Sequence, residues 1–130
     1  MNVEEKIKYW KDLAGYDLDT AQAMLSTGRY LYVGFMCHQV IEKILKGYFV
    51  HLNKDNPPYI HSLLRLSKSA DFYDELSDEQ KDLLDYLQPL NIEARYPTYK
   101  ADLLKSLTKE KCEDIFIKTE DLYQWIKEKF

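Results

Sequence analysis

The stretch Tyr30-Leu31-Tyr32-Val33-Gly34-Phe35-Met36-Cys37-His38-Gln39-Val40-Ile41-Glu42-Lys43-Ile44-Leu45-Lys46-Gly47-Tyr48-Phe49-Val50-His51-Leu52 decides the fold class. Val33, Met36, Cys37, Val40, Ile41, Ile44, Leu45, Tyr48, Phe49 and Leu52 recur at helical spacing and cover more than half of a helical wheel. So wide an apolar face suits the central helix of a bundle. The remaining polar stripe is Gln39, Glu42, Lys43 and Lys46. Glu42 and Lys46 stand four apart, and on an exposed face such a pair adds only about 0.2–0.5 kcal/mol. His38 projects at the edge of the apolar arc, beside Leu45 and Phe49.

Working outward, residues 3–26 form a second amphipathic helix. Val3, Ile7, Trp10, Leu13, Ala14, Ala21, Met24 and Leu25 share one arc, and Gly28 follows as a stop. Asp17 interrupts that arc near its middle. A carboxylate there needs hydrogen-bond donors or a cation. Asn53 to Ile60, with Pro57-Pro58, reads as a loop. A short helix follows over about 61–70. Ser77-Asp78-Glu79-Gln80 has the form of a capping box and opens another helix, carrying Leu83, Leu84 and Leu87. Pro89 interrupts it, and Pro97 breaks regular helix at Ala94-Arg95-Tyr96. The last helix spans about 109–129, with Cys112, Ile115, Phe116, Leu122, Tyr123 and Ile126 on one face. Ile117 and Trp125 point away from that face, and Trp125 is a candidate contact surface or simply a half-exposed ring. The expectation is an all-α, up-and-down bundle of four main helices plus one short helix, in a single domain over residues 1–130.

Composition supports this reading. The 130 residues include only four glycines and four prolines, with 45% hydrophobic and 31% charged residues. Long helices with short connections fit that scarcity of turn residues. The net charge of −4 places any nucleic-acid contact in a local patch rather than over the whole surface. No apolar run reaches membrane-spanning length, and the N-terminus carries no hydrophobic leader, so a cytoplasmic location is expected. Cys37 and Cys112 form no Cys-x-x-Cys pair and read as small buried hydrophobes. His38, His51 and His61 stand at no metal-ligand spacing, so neither a metal nor a cofactor is expected.

Three clusters carry candidate chemistry. His38-Gln39 with Glu42-Lys43 is the first, weighed against a plain solvated stripe. His61-Ser62-Leu63 is the second, where helix capping is the stronger reading. The third is Ala94-Arg95-Tyr96-Pro97-Thr98-Tyr99-Lys100. Arg95 can clamp a phosphate bidentately, and Tyr96 or Tyr99 can stack on a base. The same Arg95 is the obvious partner for the buried carboxylate of Asp17.

Ala14-x-x-Asp17-Leu18-x-x-Ala21, Gln39-Val40-Ile41-Glu42-Lys43-x-x-Lys46, His61-Ser62-Leu63 and Arg95-Tyr96-Pro97 occur in this order. Together they resemble the HEPN family (higher eukaryotes and prokaryotes nucleotide-binding). The resemblance spans nearly the whole chain. It implies a helical bundle, a homodimer and a polar cleft near the dimer interface. It also implies one of three activities. Some members are metal-independent endoribonucleases that use an Arg followed four to six residues later by a His. Others pair with a minimal nucleotidyltransferase, often as toxin and antitoxin, and the transferase modifies a Tyr near the catalytic motif. A third group binds nucleotides without cleaving RNA.

In this chain Lys100, Ala101 and Asp102 occupy the positions where that His would stand. A nuclease His must take and give a proton near neutral pH, which Ala101 cannot do. With that His missing, the resemblance implies a non-catalytic nucleotide- or RNA-binding protein, the dimeric partner of a minimal nucleotidyltransferase in a toxin-antitoxin-type pair. Its binding candidates are Arg95, Tyr96, Tyr99, Lys43, Lys46, Gln39 and His38, and Asp17 and Glu42 form a polar seam. Two alternatives stay open. One is an endoribonuclease toxin using Arg95 with His38 or His61 as a displaced His. The other is a structural adaptor.

Overall fold

A computed structural model describes residues 1–93 and 97–130, without the side chains of residues 92–100. Among the described residues the chain is all-helical. The elements are α1 (Val3–Ser26), α2 (Tyr30–Asn53), α3 (Leu63–Ser69), α4 (Asp78–Leu87), α5 (Leu90–Glu93), α6 (Pro97–Ser106) and α7 (Lys109–Lys127), with a 3-10 turn at Tyr73–Glu75 between α3 and α4.

The helix ends follow local chemistry. Asn2 caps α1 by accepting from the Glu5 amide. Gly28 takes φ +77°, and its amide and that of Arg29 donate to the carbonyls of Leu25 and Met24. These two bonds close the helix in a Schellman turn, and the left-handed backbone explains the glycine. The chain reverses there, so α2 returns along α1 and the two pack extensively. Ser62 caps α3 and Thr108 caps α7. Ser77 and Gln80 form the anticipated capping box at α4.

α2 sits at the centre. Val33, Cys37, Val40, Ile41, Ile44 and Leu45 are fully or almost fully buried. They pack against Ala14 and Ala21 of α1, Leu63 and Leu66 of α3, Leu84 and Leu87 of α4, and Ile115, Leu122 and Ile126 of α7. Each large aliphatic side chain so buried stabilises the fold by about 1.5–3 kcal/mol. Gly34 is where α5 crosses α2. A Cβ at that position would come within 2.7 Å of Leu90 Cδ1.

Several expectations change. The proline pattern predicts a break at Ala94-Arg95-Tyr96, and Pro97 opens a further helix, α6. Proline has no N–H to lose at the first helical position, so it starts a helix as readily as it ends one. Residues 94–96 lie outside the described residues. The short helix begins at Leu63 rather than His61. Trp125 is half-covered: Phe72 meets it edge-on at 5.6 Å, and Lys129 Nζ lies 4.2 Å from its ring centre. The chain's own residues thus cover part of the ring, and Ile117 is exposed.

Cys37 and Cys112 are both buried. Burial pushes the Cys37 thiol up to about 12 and Cys112 up to about 11, because a thiolate cannot be solvated there. The folded chain keeps both as thiols. Native protein should therefore resist a thiol-specific reagent at about pH 8, whereas urea-unfolded protein should react at both positions. Stoichiometric labelling of the native state would contradict this packing.

Candidate functional site

Half of the polar stripe of α2 is inside the protein, and the other half, Gln39 and Lys43, is partly covered. Glu42 is 3% exposed and Lys46 is 6% exposed. Lys46 Nζ donates to Glu42 Oε2 at 3.2 Å and lies 5.5 Å from the Trp10 ring centre. The other carboxylate oxygen of Glu42 meets His61 Nδ1 at 3.0 Å. It also stands 3.8 Å from His38 Nδ1. Two buried charges in contact, with further polar neighbours, satisfy one another far more strongly than a surface pair.

The helical wheel puts His38 at the edge of the apolar arc. In the fold it is fully buried, because α4 and α5 close over that side of α2. Its Nε2 lies 3.5 Å from Gln88 Nε2, and its Nδ1 lies 3.5 Å from Gln39 Nε2. Gln39 donates to Asn91 Oδ1 at 3.0 Å. Gln88 accepts from the Leu63 amide at 2.7 Å and donates to the His61 carbonyl at 3.2 Å. One amide side chain thus ties the end of α4 to the start of α3.

Asp17 is also buried. Among the described residues its cation is Lys43, whose Nζ donates to Asp17 Oδ2 at 2.5 Å. Lys43 keeps 21% of its side chain in contact with solvent. Arg95, the partner expected for Asp17, lies outside the described residues, as does Tyr96. Tyr99 falls on α6, with its side chain outside what is described. Ala101 and Asp102 follow on the same helix and are exposed.

The structure therefore brings His38, Gln39, Glu42 and Lys46 into one polar seam on α2 and pairs Asp17 separately with Lys43. It adds three members that the stripe alone does not indicate. His61 reads as a capping residue, but Ser62 takes the cap and frees His61 for Glu42. Gln88 and Asn91 flank Pro89, and no sequence signal marks them. No cluster among the described residues has a metal-ligand arrangement.

A model of the HEPN domain matches residues 7–129. The chain belongs to the HEPN family. A crystal structure of TT1696 from Thermus thermophilus shares this fold over the whole of both chains, with a TM-score of 0.81 and 24% identity. No curated protein matches the sequence. The motifs that carry this HEPN domain's resemblance include the buried Asp17 on α1 and Glu42 and Lys46 on α2, the partly buried Gln39 and Lys43, and the exposed His61 before α3. No described helix is long and apolar enough to cross a membrane.

Replacing Asp17 by Ala removes a charge-assisted bond and leaves Lys43 to turn to solvent. The expected loss is about 1.5–3 kcal/mol of unfolding free energy, read by urea denaturation. A loss below about 0.5 kcal/mol would show that the pair behaves as an ordinary surface contact.

Proposed function

We propose that this HEPN protein is a non-catalytic module that binds nucleotide or RNA as a homodimer and serves as the partner of a minimal nucleotidyltransferase, in a pair of the toxin-antitoxin kind. The observation that carries this reading is the absence of a nuclease His. Lys100, Ala101 and Asp102 stand at the positions where the family's ribonucleases hold it. Of the histidines elsewhere, His38 is fully buried and cannot reach a phosphodiester in solvent. His51 stacks on Tyr48 and sits against Phe130.

Arg95 remains the natural phosphate ligand, since a guanidinium can bind two phosphate oxygens at once. Asn91 of the seam precedes it by four residues, so the chain enters the Arg95 segment directly from the polar network. Tyr96 and Tyr99 offer rings for stacking and phenols that a transferase could modify.

Isothermal titration with ATP, GTP and a short single-stranded RNA tests the reading. At least one should bind, and Arg95→Ala should weaken it about tenfold or more. A small nucleotidyltransferase encoded beside this gene should co-purify with the protein. Failure of every ligand, together with no such partner, overturns the proposal.

A second reading has one observation in its favour. His61 keeps 60% of its side chain exposed while its Nδ1 meets Glu42, a carboxylate-oriented imidazole suited to acid or base work. In an endoribonuclease, Arg95 would stabilise the transition-state charge and His61 would act as the displaced His. RNA degradation and growth arrest, both lost in His61→Ala, would select this reading over the first.

A further inference from the structure

The N-terminal half of α1 departs from its own pattern. Val3, Ile7, Trp10 and Leu13 lie on the arc that should be buried, yet all four are only partly covered. Beside them runs a cleft of about 310 Å³, floored by Trp10 and walled by Lys6, Tyr9, Lys46, Pro58 and Tyr59. The Tyr9 and Trp10 rings meet edge-on at 5.3 Å. Tyr59 is 98% exposed, held by the Pro57-Pro58 loop with its ring 6.4 Å from that of His61.

The chemistry of the walls is specific. Flat aromatic faces lie next to two ammonium groups. Lys46 uses one of its three donors on Glu42. The volume lies near the lower end of small-ligand sites, roughly 300–1,000 Å³, which suits one planar ring with a short charged tail. An exposed Tyr beside a half-covered Trp is an arrangement on which a base can stack. Acid-derived ligands lacking a ring would leave those faces in water.

We infer that this cleft binds one nucleoside monophosphate unit, with its base stacked between Tyr59 and the Trp10–Tyr9 wall and its phosphate held by Lys6 and Lys46. The inference rests on the nucleotide-binding reading above and locates a subsite separate from Arg95. The unit can be a free mononucleotide or one residue of a single-stranded RNA. Glu42 acts here as a positioning residue: it orients Lys46 and does not itself contact the ligand.

The test uses Trp10 as reporter, in a Trp125→Phe background that leaves it as the sole tryptophan. AMP, UMP, adenosine, inorganic phosphate and a short single-stranded RNA are titrated separately. AMP or UMP should quench Trp10, with adenosine and phosphate each at least about tenfold weaker. Tyr59→Ala and Lys6→Ala should each weaken binding about fivefold or more. Neither side chain is buried, so these variants should keep the wild-type circular dichroism spectrum. Tyr16→Ala, exposed at 71% and outside the cleft, should change nothing. Quenching by RNA alone, with the same sensitivity to Tyr59→Ala and Lys6→Ala, supports the cleft and identifies its ligand as chain-borne. Quenching by phosphate as strong as by AMP overturns it, as does indifference to both substitutions. Binding detected by calorimetry that falls in Arg95→Ala but not in Tyr59→Ala or Lys6→Ala also overturns it, while leaving the nucleotide-binding reading intact.

Discussion

A single carboxylate holds this bundle's polar interior together. Glu42 sits almost wholly out of water on the central helix, with Lys46 on one oxygen and His61 on the other. An ionised carboxylate left alone at that depth would cost several kcal/mol. It is tolerated because α2 supplies its own cation one turn on, and because the Pro57-Pro58 loop delivers an imidazole from the other side. That second contact matters for architecture. It fixes where the loop ends and therefore where α3 begins. Gln88 then joins the His61 carbonyl and the Leu63 amide, so α4 is registered on the same point.

The apolar periodicity of α1, α2 and α7 is enough to define the bundle, because α2 and α7 bury the stripe that their sequences spell out and α1 buries the part of its stripe around Ala14 and Ala21. Gly28, Ser77 and Gln80 mark helix ends through chemistry that acts within a few residues. The stripe on α2 misleads, because a helical wheel shows only which residues share a face and not what covers that face. Gln39, Glu42 and Lys46 look solvated until Asn91, His61 and Trp10 are placed against them. Gln88 and Asn91 give no signal at all, since they matter only through partners 25 to 52 positions away. Pro97 misleads differently: a proline ends one helix and opens the next with the same ring.

Family membership and the seam support one another. The residues that carry the HEPN resemblance are not scattered surface positions; most of them touch one another inside the fold. The seam also reaches the surface, where Lys46 lines the cleft beside Trp10. A ligand held there, as proposed, would meet a group already fixed by a buried contact, which reduces the ordering that binding requires.

The most direct test of this account is a double-mutant cycle on the Glu42–Lys46 pair, followed by urea denaturation. Glu42→Leu strands a buried ammonium and Lys46→Leu strands a buried carboxylate. Each single variant should lose about 3–5 kcal/mol, while the double variant should recover much of that loss. Single losses below about 1 kcal/mol, or a double variant whose loss equals the sum of the two, would show that the carboxylate is not the constraint on which the interior depends.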